Sequence, residues 1–168
     1  EPGCKSPFDG VLFEPRHSMK YHSEIRLEQV IQWAFHGNAE TGLGPLPREE
    51  QKILLLASLA GLRRNEIDKL EWSAFHWHEG TVRIAATSFY CPKTEESLGD
   101  IPLDPEMLAL FQAWEKDRQG DFVIESPILP RVGCGYSHYR CERIFKSLLV
   151  WLRKCGITSN NPIHVLRK

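Results

Sequence analysis

Two arginines, Arg63 and Arg64, follow directly on the nearly unbroken apolar run Ile53 to Leu62, where the sequence predicts a turn between two helices. A guanidinium fixed at such a junction presents its N–H groups as a planar fork, a geometry matched to phosphate oxygens. Glu66, three residues after Arg63, can orient that fork; the same pair can also do no more than tie two helices together. Near the other end His164 and Arg167 stand at i and i+3, so a helix would put both on one face, where they can grip one anion. A lone His-x-x-Arg arises often by chance, and the histidine can equally be a surface or core residue. Lys93 lies in the loop Tyr90-Cys91-Pro92-Lys93-Thr94-Glu95-Glu96, where an ammonium on a flexible stem can reach a ligand; alone it is an ordinary loop lysine.

Positioning these groups falls to a mainly helical set of elements. Residues 1–22, with Pro2, Gly3, Pro7, Gly10 and Pro15 and little periodicity, read as a linker or arm from a preceding domain. Ser23 is the expected N-cap of a first helix carrying Leu27, Val30, Ile31, Ala34 and Phe35 at helical spacing. A glycine- and proline-bearing loop, 37–47, leads to a second helix opened by Pro47, Glu49 and Glu50. Gly61 breaks it, and Asn65 to Leu70 reads as a short third helix. Ala74–Trp77 and Thr81–Thr87, separated by Glu79-Gly80, predict a hairpin, with Ile101–Leu103 as a third antiparallel strand. Asp104-Pro105 opens a helix bearing Met107, Leu108, Leu110, Phe111 and Trp114. A longer helix from about His138 to Cys155 aligns Cys141, Ile144, Phe145, Leu148, Leu152 and Cys155, and Asn161-Pro162 opens a last one.

A chain of 168 residues that is 42% hydrophobic and 26% charged can bury one core, which excludes a largely disordered protein. The longest apolar run spans about half of what a bilayer crossing needs, and no secretory signal is visible at the start. Five cysteines without a CxxC pair read as free thiols of a cytoplasmic protein. The net charge of −1 conceals a division: residues 131–168 hold eight Lys or Arg against one acid, Glu142, whereas the first 130 hold thirteen against twenty-one. Such segregation is the footprint of a polyanion binder or, alternatively, of a solvated basic helix. Arg64, Arg140, Arg143 and Lys146 are the candidate DNA contacts.

The string Gly61-Leu62-Arg63-Arg64-Asn65-Glu66-Ile67-Asp68-Lys69-Leu70-Glu71-Trp72, the hairpin, Pro92-Lys93-Thr94, Ile101-Pro102-Leu103 and Ile163-His164-Val165-Leu166-Arg167 occur in an order that resembles the catalytic domain of the tyrosine recombinases, the phage integrase family. The resemblance runs from about Tyr21 to the end. It implies an α+β, mainly helical fold with a small three-stranded antiparallel sheet, residues 23–168 forming a partial catalytic domain. By position, Arg63 and Arg167 match the family's two catalytic arginines, Lys93 its hairpin lysine, His164 its histidine and Glu66 the acidic residue that orients the first arginine. The implied activity is DNA cleavage and rejoining through a 3′-phosphotyrosyl intermediate, without metal or nucleotide cofactor, by a homotetramer on double-stranded DNA.

Two departures bear on that reading. The family's nucleophilic tyrosine follows the His-x-x-Arg box, whereas Tyr21, Tyr90, Tyr136 and Tyr139 all precede it and the sequence stops one residue after Arg167, so the expectation is a fragment that is inactive alone and possesses no matching nucleophile. Gly99-Asp100 stands where the family usually has a basic residue before the third strand. Both ends read as cut from something longer, and the fragment is expected to be monomeric. A zinc site from Cys134, His138 and Cys141 lacks a fourth ligand, and His76 with His78 reads as an exposed pair. Competing functions are a noncatalytic DNA-binding module of the same fold, a type IB topoisomerase, and a helical protein with no nucleic-acid role.

Overall fold

The computed structural model describes residues 26–92, 98–133, 138–159 and 163. Ser23, Lys93, Cys134, His164 and Arg167 lie outside them.

The buried centre is α2 (Arg48–Ser58), whose residues Ile53 to Ala57 are all enclosed. A helix apolar on every side needs neighbours on every side. It has α1 (Leu27–His36) against one flank, presenting Val30 and Ala34, and α5 (Glu142–Lys154) against another. The latter buries Phe145, Leu148, Trp151 and Leu152 along one stripe. The Trp151 indole Nε1–H donates to the Gly44 carbonyl at 2.9 Å and fastens α5 to the loop after α1. That loop turns at Gly37, whose φ of +75° and whose 2.6 Å clearance from the Leu43 carbonyl to any added Cβ admit only glycine.

After α2 come a short α3 (Arg64–Asp68) and a single 3₁₀ turn, Trp72–Ala74. The sheet follows, in order β1 (Phe75–His76), β2 (Thr81–Ile84), β3 (Gly99–Pro102), antiparallel throughout, with Val82 opposite both Phe75 and Ile101. Val82 and Ile84 turn into the core and Arg83 outward, the alternation of a one-faced strand. Across the sheet Arg83 Nε and Nη2 each donate to Asp100 at 2.7 Å. Asp100, where the family usually has a basic residue, thus has an arginine opposite it. At the start of α4 (Pro105–Glu115) the Asp104 carboxylate accepts the N–H groups of Glu106 and Met107 at 2.9 and 3.2 Å, as the Asp-Pro signal requires.

The expected fold class holds, with the first two strands and the long helix shorter than periodicity predicts, the third strand at Gly99–Pro102 rather than Ile101–Leu103, and Arg26, not Ser23, as the N-cap of α1. The first strand loses Ala74 because burial of Trp72 among Phe75 and Phe111, with its N–H on the Asp121 carbonyl, winds the preceding residues into the 3₁₀ turn. The second strand ends three residues early, where Thr87 closes a tight turn onto Tyr90. The long helix begins at Glu142 rather than His138. The all-free-thiol expectation is corrected as well: Cys141 and Cys155 are free and buried, but Cys91 is disulfide-bonded. Among the described residues no helix is long and apolar enough to cross a membrane.

Candidate phosphate-binding site around Arg63

Arg63 is the N-cap of α3, next to the wholly buried Leu62, whose N–H is tied back to the Leu56 carbonyl at 3.0 Å. The end of α2 therefore fixes where its backbone stands. Glu66, in the first turn of α3, accepts the Arg63 N–H on Oε2 at 2.6 Å and Arg63 Nη1 on Oε1 at 3.1 Å. Glu66 is 5% exposed and Arg63 is 54% exposed, so a buried carboxylate holds a guanidinium whose side chain reaches solvent. The ion pair joins two residues of one turn, not two helices.

Tyr90 supplies a third donor: its hydroxyl donates to Glu66 Oε1 at 3.3 Å. Its backbone is set by Thr87, whose Oγ1 accepts the N–H groups of Phe89 and Tyr90 at 3.2 and 3.1 Å. Behind this group lies a cavity of about 180 Å³ walled by Glu66 and Tyr90 together with Lys69, His76 and Arg83.

A second network joins α3 to α5. The fully buried Asp68 accepts the N–H of Arg140 at 3.1 Å and of Cys141 at 2.8 Å, one on each oxygen. The Arg140 guanidinium donates to the carbonyls of Asp68 and Ile124 at 3.1 and 2.8 Å and lies 4.3 Å over the Phe122 ring. Arg64 pairs with Glu142 and stacks over Tyr139 and Phe145 at 4.2 and 4.8 Å. Burial pushes the Cys141 thiol up to about 12, against a smaller opposing pull from Arg140.

These placements revise the expected DNA contacts. Arg140 is 5% exposed and is an internal tie, because its guanidinium donates to the carbonyls of Asp68 and Ile124 and lies over Phe122. Arg64 is one-third exposed and engaged with Glu142. Arg143 and Lys146 are on the surface, Lys146 at 70% exposure with its ammonium 3.3 Å from Glu142. No cluster of His, Cys, Asp or Glu among the described residues is built to hold a metal ion. Cys141 is buried while His138 is exposed beside Arg131. His76 is partly buried against Glu79, and only His78 is fully exposed. Sequence reasoning missed Tyr90 as a partner of Glu66 and Asp68 as a cap of α5. The only signal for the first was Thr87 three residues before Tyr90, a spacing that closes turns; for Asp68 there was none.

No protein-family model matches the sequence, and neither does any curated protein. Among solved structures, the crystal structure of XerA recombinase is similar, with a TM-score of 0.56 at 17% identity over 88% of this chain. This chain spans 47% of that one. The likeness is one of fold.

Proposed function

We propose that the chain is the catalytic-domain portion of a site-specific DNA recombinase of the tyrosine type, with Arg63 as one of its phosphate-binding groups. The observation that carries the reading is the half-exposed Arg63 guanidinium, held by a buried carboxylate at a helix start, in a fold shared with a recombinase.

In this reading a tyrosine oxygen attacks the phosphorus of a DNA phosphodiester. The new O–P bond gives a 3′-phosphotyrosyl link while the P–O5′ bond breaks. Negative charge grows on the nonbridging oxygens, where Arg63, Arg167 and His164 donate hydrogen bonds. Lys93 gives a proton to the departing 5′ oxygen, a general-acid step contributing on the order of 10²- to 10⁴-fold. Rejoining to a new 5′-hydroxyl reverses the sequence, so the exchange is isoenergetic and consumes no nucleotide. None of the chain's four tyrosines matches the nucleophile's position after the His-x-x-Arg box, so the reaction belongs to a protein that supplies a tyrosine outside these 168 residues. A homotetramer on two duplexes, and the cytoplasm as the place where its DNA is met, belong to the same proposal.

Incubating a nicked suicide duplex with a protein that contains these residues and a downstream tyrosine tests the reading. A covalent protein–DNA adduct that disappears on Arg63→Ala is the expected result; adduct formation indifferent to Arg63 overturns it. A relaxation assay beside a two-site recombination assay separates this activity from that of a type IB topoisomerase. A second reading is a noncatalytic DNA-binding module of the same fold. Salt-dependent binding by a protein that never cleaves would select it.

A further inference from the structure

We propose that Tyr90 is a positioning residue for Arg63, acting through the Glu66 carboxylate; its catalytic consequence rests on the reading of Arg63 as a phosphate-binding group. Glu66 takes both of its other bonds from Arg63, the residue it has to hold. A carboxylate tied only to its own client can swing with it. Tyr90 breaks that circle, because its hydroxyl reaches Oε1 from a segment 24 residues away whose backbone is separately locked by Thr87. Two independent pieces of chain thus define the plane of the carboxylate, and through it the direction of the guanidinium.

Only 7% exposed, Tyr90 is too enclosed to attack a duplex itself, which separates this role from that of a nucleophile.

Tyr90→Phe removes the hydroxyl and keeps the ring. In the 168-residue protein, phenylglyoxal labelling followed by mass spectrometry reads how firmly each arginine is held. We expect Arg63 to label about three- to tenfold faster in the variant, the loss of about one hydrogen bond, with the exposed Arg143 unchanged as internal reference. In a Tyr90→Phe and Glu66→Gln cycle the two effects on Arg63 should be non-additive. Unchanged Arg63 labelling, additive effects, or parallel acceleration at Arg143 would each overturn the proposal. In a cleavage-competent protein the same variant should slow single-turnover cleavage about tenfold at unaltered DNA affinity; weakened binding at full rate would refute this role. A wild-type protein that never cleaves, with Arg63 labelling still sensitive to Tyr90, would sink the recombinase reading and leave the positioning intact.

Discussion

The Asp68 carboxylate accepts the backbone N–H of Cys141 at 2.8 Å, so the last residue of α3 supplies the cap that α5 lacks at its own start. Cys141, the N-cap residue, makes no capping bond with its side chain, and the Arg140 N–H shares the same carboxylate while its guanidinium donates to the Asp68 main-chain carbonyl. The short helix carrying Arg63 and the long basic helix are thereby locked together.

Removing that carboxylate should therefore cost more than a surface cap. Asp68→Ala is expected to lower the unfolding free energy by about 2 kcal/mol or more, since it leaves the buried N–H groups of Arg140 and Cys141 without their acceptor. Asp68→Asn, whose side-chain oxygen can still accept one of the two, should lose less. Urea unfolding of the two variants measures it; equal instability of the two would contradict the capping argument.

Arg143 and Lys146 are surface cations in the first half of α5, whereas Arg140, just before the helix, is buried. Arg143→Ala and Lys146→Ala should each reduce the salt slope of duplex binding by about one unit while leaving the melting temperature near wild type. Arg140→Ala should instead melt early. Gel-shift titrations at several salt concentrations, beside thermal melts, check this; an unchanged slope for both surface variants would remove the first half of α5 from the DNA interface.

Burial pushes the Cys141 thiol up to about 12, well above its value in an unfolded chain. The sign follows: with the folded value raised, this stabilisation is complete below the unfolded value of roughly 8.5 and is lost progressively as pH climbs towards 12. Iodoacetamide at pH 8 should spare Cys141 in the native protein and modify it after denaturation. Fast native alkylation would contradict its burial.

Asp100 is held below the ordinary carboxylate range by its hydrogen bonds to Arg83, and Arg83 is raised in turn. A lowered carboxyl contributes stability above its unfolded value and loses it as pH falls through the folded one. The melting-temperature gap between wild type and Asp100→Asn should thus be present at neutral pH and close in strong acid. Because the pair is exposed, the gap should also shrink in high salt.

Much of this arrangement was legible beforehand because it is written in local chemistry. Asp104-Pro105 announces α4 through a cap and a proline, and the spacing of Phe145, Leu148 and Leu152 announces the buried face of α5. Arg63 and Glu66 are three residues apart, so their meeting follows from one helical turn. Tyr90 on Glu66 and Asp68 on Cys141 follow from no such rule: each depends on how distant segments pack. The basic stretch misled at Arg140 for the same reason. Composition counts a charge without knowing that main-chain carbonyls, one of them 72 residues earlier, will take it inside.

A five-residue helix has almost no intrinsic tendency to form, since nucleation outweighs what so few turns return. The turn that bears Arg63 is steadied by Tyr90, by Glu142 and by the start of α5, all of them later in the chain. The arginine's geometry is accordingly among the last things to appear during synthesis and among the first to vanish in a partial opening. A nascent chain released short of residue 142 would carry every atom of this turn without the Glu142 carboxylate that pairs with Arg64.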